Sequence, residues 1–224
     1  MNDCKIAFII CTNDEIMMKE CRLYIERLFV PKGYTTEILE IHDAPSMTSG
    51  YNRAMRQSDA RYKIYLHQDV FILNRNFLNN LMTIFHSCQN TGMIGMVGTA
   101  QLSLSGIMWR GSSYAGGVYT PSDTLYQEEI FVKNGKLMKA EAIDGFLMAT
   151  CVDLPWREDL FDGFDFYDIS QSFEFRRHGY DIAVPNQEYA WCVHDDGKIL
   201  NLLHYNHYRK IFLQNYAEDM KISR

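Results

Sequence analysis

The six cysteines include no C-x-x-C pair, and most of them lie inside apolar periodic segments. That argues against a zinc ribbon or a disulfide frame and points to buried thiols in a reducing compartment. No stretch approaches the ~18 consecutive apolar residues of a membrane span. The first apolar run, Ile6 to Cys11, is short and follows Asp3, so no secretory signal is expected. Positive charge is scarce as well. A net charge of −6 and a pI near 5.6 argue against general binding to nucleic acid or anionic membranes. The densest basic cluster, Arg53, Arg56, Arg61 and Lys63, reads as a solvated helix face. There is no internal repeat and no linker composition. The expectation is a single cytoplasmic domain of 224 residues, long enough to bury a substantial core and open to forming a homo-oligomer.

What is abundant is aromatic: 14 Tyr and 13 Phe, enough to line a groove as well as a core. The central stretch is Lys63 to Leu73, KIYLHQDVFIL, in which a buried strand breaks into His67-Gln68-Asp69 before the apolar pattern resumes. Upstream, Lys5 to Cys11 is a nearly continuous apolar run, as in a central parallel strand. Thr12-Asn13-Asp14 then offers N-cap side chains to a helix in which Met17, Cys21, Tyr24, Ile25 and Leu28 recur. Pro31-Lys32-Gly33 ends that helix, and Thr36 to His42 alternates like a strand. Strand, helix and strand within some forty residues form a βαβ unit, so a right-handed crossover and a three-layer α/β/α sandwich with a mostly parallel sheet are predicted. Ser49 to Ala60 and Asn76 to Cys88 read as further helices, and Met93 to Thr99 as a strand.

After residue 100 the texture changes. Gly and Ser become frequent, and Asn134-Gly135 predicts a hairpin between Glu128–Lys133 and Lys136–Ile143. Residues 101–200 are therefore expected to form an antiparallel, loop-rich lobe over the strand ends of residues 1–100. Asp144 to Thr150, Tyr180 to Pro185 and Glu188 to His194 read as strands, Ile169 to His178 as a helix. A final helix within 201–224 carries Leu202, Leu203, Tyr205, Phe212, Leu213 and Tyr216.

Polar residues at strand ends are where open α/β sheets place ligands. Five groups fall there: Thr12-Asn13-Asp14, His67-Gln68-Asp69, Asp144-Gly145, Asp162 to Asp168, and His194-Asp195-Asp196. Each has a structural alternative. The first can be a cap, the third a turn, the acids of the fourth a response to the helix dipole, and His194 a satisfied surface histidine. His204 and His207, three apart on the last helix, are spaced as a metal pair or as ordinary surface residues. Together the groups suit one reaction. A divalent ion on Asp69, with His67 or His194, can hold a departing diphosphate, and a separate acid, Asp168, can deprotonate an incoming hydroxyl.

The order of these groups resembles a family 2-type glycosyltransferase of the GT-A fold. KIAFIICTND (Lys5 to Asp14) is similar to that family's first strand and nucleotide-contacting turn. SGYNRAMRQSDA (Ser49 to Ala60) resembles its G-x-x-x-A-R-N-x-G-x-x-x-A segment, with Asn52 and Ala60 retained. The metal-binding D-x-D falls on His67-Gln68-Asp69, so only its last acid matches. AIDGF (Ala142 to Phe146) is similar to the start of the acceptor pocket. LFDGFDFYDISQSFEFRRHGYDIAVP (Leu160 to Pro185) resembles the segment whose E-D pair becomes Tyr167-Asp168. The resemblance spans roughly residues 4 to 200 and implies an inverting, metal-assisted sugar transfer. The donor would be a nucleotide-diphospho-sugar, a UDP-sugar first, and the acceptor a glycan or other hydroxyl compound. It implies Thr12, Asn13, Asp14, Asn52 and Asp69 at the donor and Asp168 as base. Asp69, His67 and His194 would hold Mn2+ or Mg2+, and Asp144, Gly145 and Trp109 would face the sugar or acceptor. Two alternatives stand beside it: a non-catalytic glycan- or nucleotide-binding module on a degenerate scaffold, motivated by the altered motifs, and a nucleotidyltransferase, disfavoured by the acidic first loop.

Overall fold

A computed structural model of the chain describes residues 1–121, 126–132, 137–196 and 201–222. The chain opens with β1 (Asn2–Thr12), α1 (Glu15–Glu26), β2 (Thr35–His42), α2 (Met47–Gln57) and β3 (Ala60–His67). It continues through β4 (Val70–Ile72), α3 (Phe77–Ser87), β5 (Thr91–Gly95), β6 (Val97–Gln101), β7 (Ser112–Pro121) and β8 (Tyr126–Val132). Next come β9 (Met138–Ala140), β10 (Ala142–Ile143), β11 (Leu147–Thr150) and α4 (Tyr167–Arg177). β12 (Asp181–Val184), β13 (Cys192–His194) and α5 (Leu202–Ile222) complete it.

The main sheet has the order β2-β1-β3-β11-β5-β12-β9. Its strands alternate in what they bury, because successive side chains point to opposite faces. Ile6, Phe8 and Ile10 of β1 share a core with Met18 and Cys21 of α1 and Phe77, Leu78 and Leu81 of α3. Ala7 and Ile9 face the other way, onto Met47, Tyr51 and Ala54 of α2 and Phe175 of α4. The three-layer sandwich is therefore present. The sheet is mixed, however: β1 pairs in parallel with β2 and β3, and β5 with β12, while β11 and β9 run antiparallel to their neighbours.

The expected antiparallel lobe is a second sheet, β10-β6-β7-β13-β4, with β8 beside β7. Its pairs are antiparallel except β13 on β7. Three expectations need correction. β8 pairs with β7 and β9 with β12, so the two flanks of Asn134-Gly135 find other partners than each other; the turn itself lies outside the described residues. The Met93–Thr99 strand is two strands, β5 and β6, which separate at Met96 into different sheets. Lys63 is not on a solvated face: it is fully buried, with Nζ 2.8 and 2.9 Å from the two carboxylate oxygens of Asp153. Arg53 and Arg56 are exposed as expected.

The last helix also has a clear place. Phe212 and Tyr216 pack on Phe173 of α4, and Phe212 on Phe166, while Tyr208 and Met220 join the same core. Leu202 and Leu203, which the same helix carries, are 61% and 84% exposed. Among the described residues no helix is long and apolar enough to cross a membrane.

Candidate active site

His67-Gln68-Asp69 lies where the two sheets part. β3 ends at His67 in the main sheet, and β4 begins at Val70 in the second one. β13 runs antiparallel to β4 with His194 opposite Val70, which brings a residue 125 positions away in sequence beside Asp69. The Asp195 N–H donates to the Asp69 carbonyl at 3.0 Å and holds this register. Three ligand-type atoms then face each other. His67 Nδ1 is 3.2 Å from His194 Nε2, and Asp69 Oδ1 is 3.6 Å from His194 Nε2 and 3.8 Å from His67 Nδ1.

Donors at about 2.0–2.2 Å from a common ion stand about 2.8–3.6 Å apart in octahedral or tetrahedral geometry, so this triangle needs little contraction to close on a divalent cation. Two further facts fit such an ion. Asp69 Oδ1 is a buried oxygen with no hydrogen-bond partner among the described residues, which is costly unless something else satisfies it. Burial, and then the neighbouring His194, hold the His67 pKa down at about 3, so its imidazole is neutral as a ligand must be. Burial also raises the Asp69 carboxyl, and the neighbouring His194 offsets part of that rise. Among the described residues this is the group of His, Cys, Asp and Glu side chains that could hold a metal ion; His204 and His207 are both exposed.

Gln68, the middle residue of the motif, turns the other way. Its Oε1 accepts from Thr12 Oγ1 at 2.7 Å and from the N–H groups of Asn13 and Asp14 at 2.9 and 3.0 Å. Its amide donates to Asn13 Oδ1 at 2.6 Å. The first strand-end turn is thus fastened to the third strand's motif. Asp14 caps α1, its Oδ1 accepting from the Ile16 and Met17 N–H groups. Beside this turn lies a cleft of about 230 Å³ lined by Cys11, Thr12, Asn13, Asp43, Ala44, Met47, His67, Gln68, Asp69 and Phe164. Thr12, Asn13 and Asp69 therefore come together as expected. Asn52 does not join them: it is 2% exposed, and both ends of its amide bind the backbone of Trp156 at 2.9 Å. Asp43 and Met47 carry no expectation from the sequence, whereas Phe164 lies within the Asp162 to Asp168 group. Asp43 could have been singled out, since it follows the carboxyl end of β2 just as Asn13 follows β1.

The two remaining carboxylates, Asp144 and Asp168, meet at Gly145. Asp168, in the first turn of α4, accepts from the Gly145 N–H at 3.0 Å and the Ile169 N–H at 2.8 Å. Asp144 Oδ1 accepts from the Phe146 N–H at 3.1 Å. The helix terminus and two amide donors favour an ionised Asp168. Burial and the nearby Asp144 charge outweigh them and push its pKa up to about 7. Burial raises Asp144 as well. Gly145 is required by proximity: a Cβ there would lie 2.2 Å from Tyr167 Oη and 2.8 Å from Asp168 Cβ. The start of α4 is anchored by Phe166, a buried residue at φ 62° whose ring packs on Tyr205 and Phe212 of α5. Trp109 stands elsewhere, 52% exposed on a 3-10 turn and stacked on Tyr114.

The mixed α/β sandwich is the fold of GT-A glycosyltransferases. The chain belongs to the glycosyltransferase-like family whose sequence profile matches residues 7–216. No curated protein matches it in sequence. Solved structures with the same fold include the mannosyltransferase PcManGT from Pyrobaculum calidifontis in complex with GDP-Man and Mn2+. That match has a TM-score of 0.50 at 11% identity and covers 97% of this chain and 72% of the other. Residues 1–349 of S. aureus TarS in complex with UDP-GlcNAc align with a TM-score of 0.52 at 11% identity, over 95% and 66% of the two chains. Against a longer S. aureus TarS structure the TM-score is 0.56 at 10% identity, and this chain spans 40% of that one.

Proposed function

We propose that this glycosyltransferase moves a sugar from a nucleotide-diphospho-sugar, a UDP-sugar first, to a hydroxyl of a glycan or similar acceptor, with inversion and with a divalent cation. The observation that carries the proposal is the triangle of His67 Nδ1, His194 Nε2 and Asp69 Oδ1 at one end of a cleft that begins at the β1 turn. The cleft would take the nucleoside, with Thr12, Asn13, Asp43 and Gln68 around it, and its diphosphate would reach the triangle. Asp14 contributes by fixing α1 rather than by touching the donor with its capping oxygen.

Positive charge held by His67, Asp69 and His194 would offset the charge that grows on the diphosphate as its bond to the anomeric carbon breaks. The acceptor oxygen forms the new bond from the opposite face, and Asp168 takes its proton. A carboxyl with a pKa near 7 is well matched to that task at neutral pH. Asp144 lies beside Asp168, placed to orient a sugar hydroxyl, and Gly145 supplies the N–H that fixes the base. Two imidazoles and one carboxylate suit a first-row transition ion such as Mn2+ better than Mg2+, which favours oxygen ligands. The test is UDP release from individual UDP-sugars in Mn2+, by the wild type and by Asp168→Asn. Release by the wild type and none by the variant is expected. Release by both at one rate would remove Asp168 from the reaction.

A further inference from the structure

His67 offers two ring nitrogens, and which one is available decides whether the triangle exists. Nε2 already has a partner, the Tyr167 hydroxyl at 2.5 Å, and Nδ1 faces His194 and Asp69. We infer that Tyr167 is a positioning residue for the metal centre: its hydroxyl occupies His67 Nε2 and thereby leaves Nδ1 as the nitrogen that ligates. The inference rests on the metal-assisted reading above and assigns a task to a side chain that the reading does not use.

Three features of the surroundings support it. Tyr167 is 4% exposed and wedged among Tyr51, Trp156 and His67, so its hydroxyl has little freedom to leave the imidazole. Gly145 permits the approach, since a side chain there would meet Tyr167 Oη at 2.2 Å. A hydroxyl can both accept and donate, whereas a carboxylate accepts alone. With no ion, Nδ1–H can face His194 Nε2 while the Tyr167 O–H donates to Nε2. When Nδ1 ligates, the neutral ring takes its other tautomer: Nδ1 is bare, the single N–H sits on Nε2, and it donates to Tyr167 Oη. The ring keeps its orientation through both arrangements. An outer partner of this kind typically changes metal affinity 10–100-fold when removed.

The experiment is calorimetric titration of Mn2+ into the wild type, Tyr167→Phe and Tyr51→Phe. Tyr51 is the control: it belongs to the same aromatic cluster and is fully buried, but its hydroxyl has no hydrogen-bond partner among the described residues. A 10–100-fold loss of affinity in Tyr167→Phe, with Tyr51→Phe at the wild-type value, is expected. Nitrogen NMR of the Zn2+-loaded wild type should show His67 metallated at Nδ1 and protonated at Nε2. Equal Mn2+ affinity in all three proteins, or metallation at Nε2, would overturn the inference while leaving the metal site standing. An equal loss in both variants would make Tyr167 a packing residue and overturn it too. No Mn2+ binding by the wild type would overturn the metal reading itself, and this inference with it.

Discussion

Replacing Gly145 with alanine tests the link between packing and chemistry most sharply. The added methyl would lie 2.2 Å from Tyr167 Oη, 2.6 Å from Tyr167 Cζ and 2.8 Å from Asp168 Cβ. None of these is the free end of a flexible chain. Tyr167 is confined by Tyr51 and Trp156, and Asp168 is held by two backbone N–H groups. The strain must therefore be relieved by moving the start of α4 away from the β10–β11 turn. Overpacking of this kind costs about 1–3 kcal/mol. For a domain of this size that corresponds to a drop in Tm of roughly 3–10 °C. The same movement lengthens the Gly145 N–H bond to Asp168 and draws Tyr167 off His67. A displacement of about 1 Å at a reacting group can cost on the order of 100-fold in rate. Thermal melts and kcat for UDP release are the assays, with donor KM expected to change far less than kcat. A variant as stable and as active as the wild type would refute the packing account of this corner.

Further outcomes follow from single groups. Because Asp168 must be ionised to accept a proton, kcat should climb as pH rises through about 7 and level off above it; a profile flat from pH 5 to 8 would contradict this. The same raised pKa means that ionising Asp168 in the folded state costs stability, a cost absent near pH 4 and fully present above pH 7. Asp168→Asn should therefore be more stable than the wild type at pH 8, by up to about 4 kcal/mol, and gain nothing at pH 4 in paired melts. Lys63→Met removes the cation that faces the partly exposed carboxylate of Asp153; denaturant titration should show a loss of about 1–3 kcal/mol. Gln68→Glu keeps an acceptor for Thr12 and the Asn13 and Asp14 N–H groups but loses the donor to Asn13 Oδ1, so UDP affinity should fall with little change in Tm.

Much of the first half was readable because burial there is written locally. The apolar run of β1 and the alternation of β2 specify strands without help from distant residues, and Asp14 caps α1 as its type and place suggest. The second half depends on pairing across the chain. Asn134-Gly135 looked like the turn of a local hairpin, yet β8 lies on β7 and β9 on β12, partners that no local pattern names. Lys63 is buried for the same reason: its counter-charge, Asp153, comes from 90 residues away. At the site, His67, Asp69 and Asp168 stood out as polar groups ending apolar runs. That His194 would close a triangle with the first two depends on the β13–β4 register. Asn52 kept the family's residue type but spends its amide on Trp156. Phe166 carried no signal at all, since its left-handed backbone is imposed by packing against α5 rather than by its own preference.

His67, Asp69 and His194 are proposed to join a nucleotide's diphosphate to the protein through a divalent cation. Calorimetric titration of UDP in Mn2+, in EDTA, and against Asp69→Ala in Mn2+ addresses this directly. Binding in Mn2+ that disappears both in EDTA and in the variant is the predicted result. Equal heats in Mn2+ and EDTA, or an Asp69→Ala protein that binds as the wild type does, would contradict it.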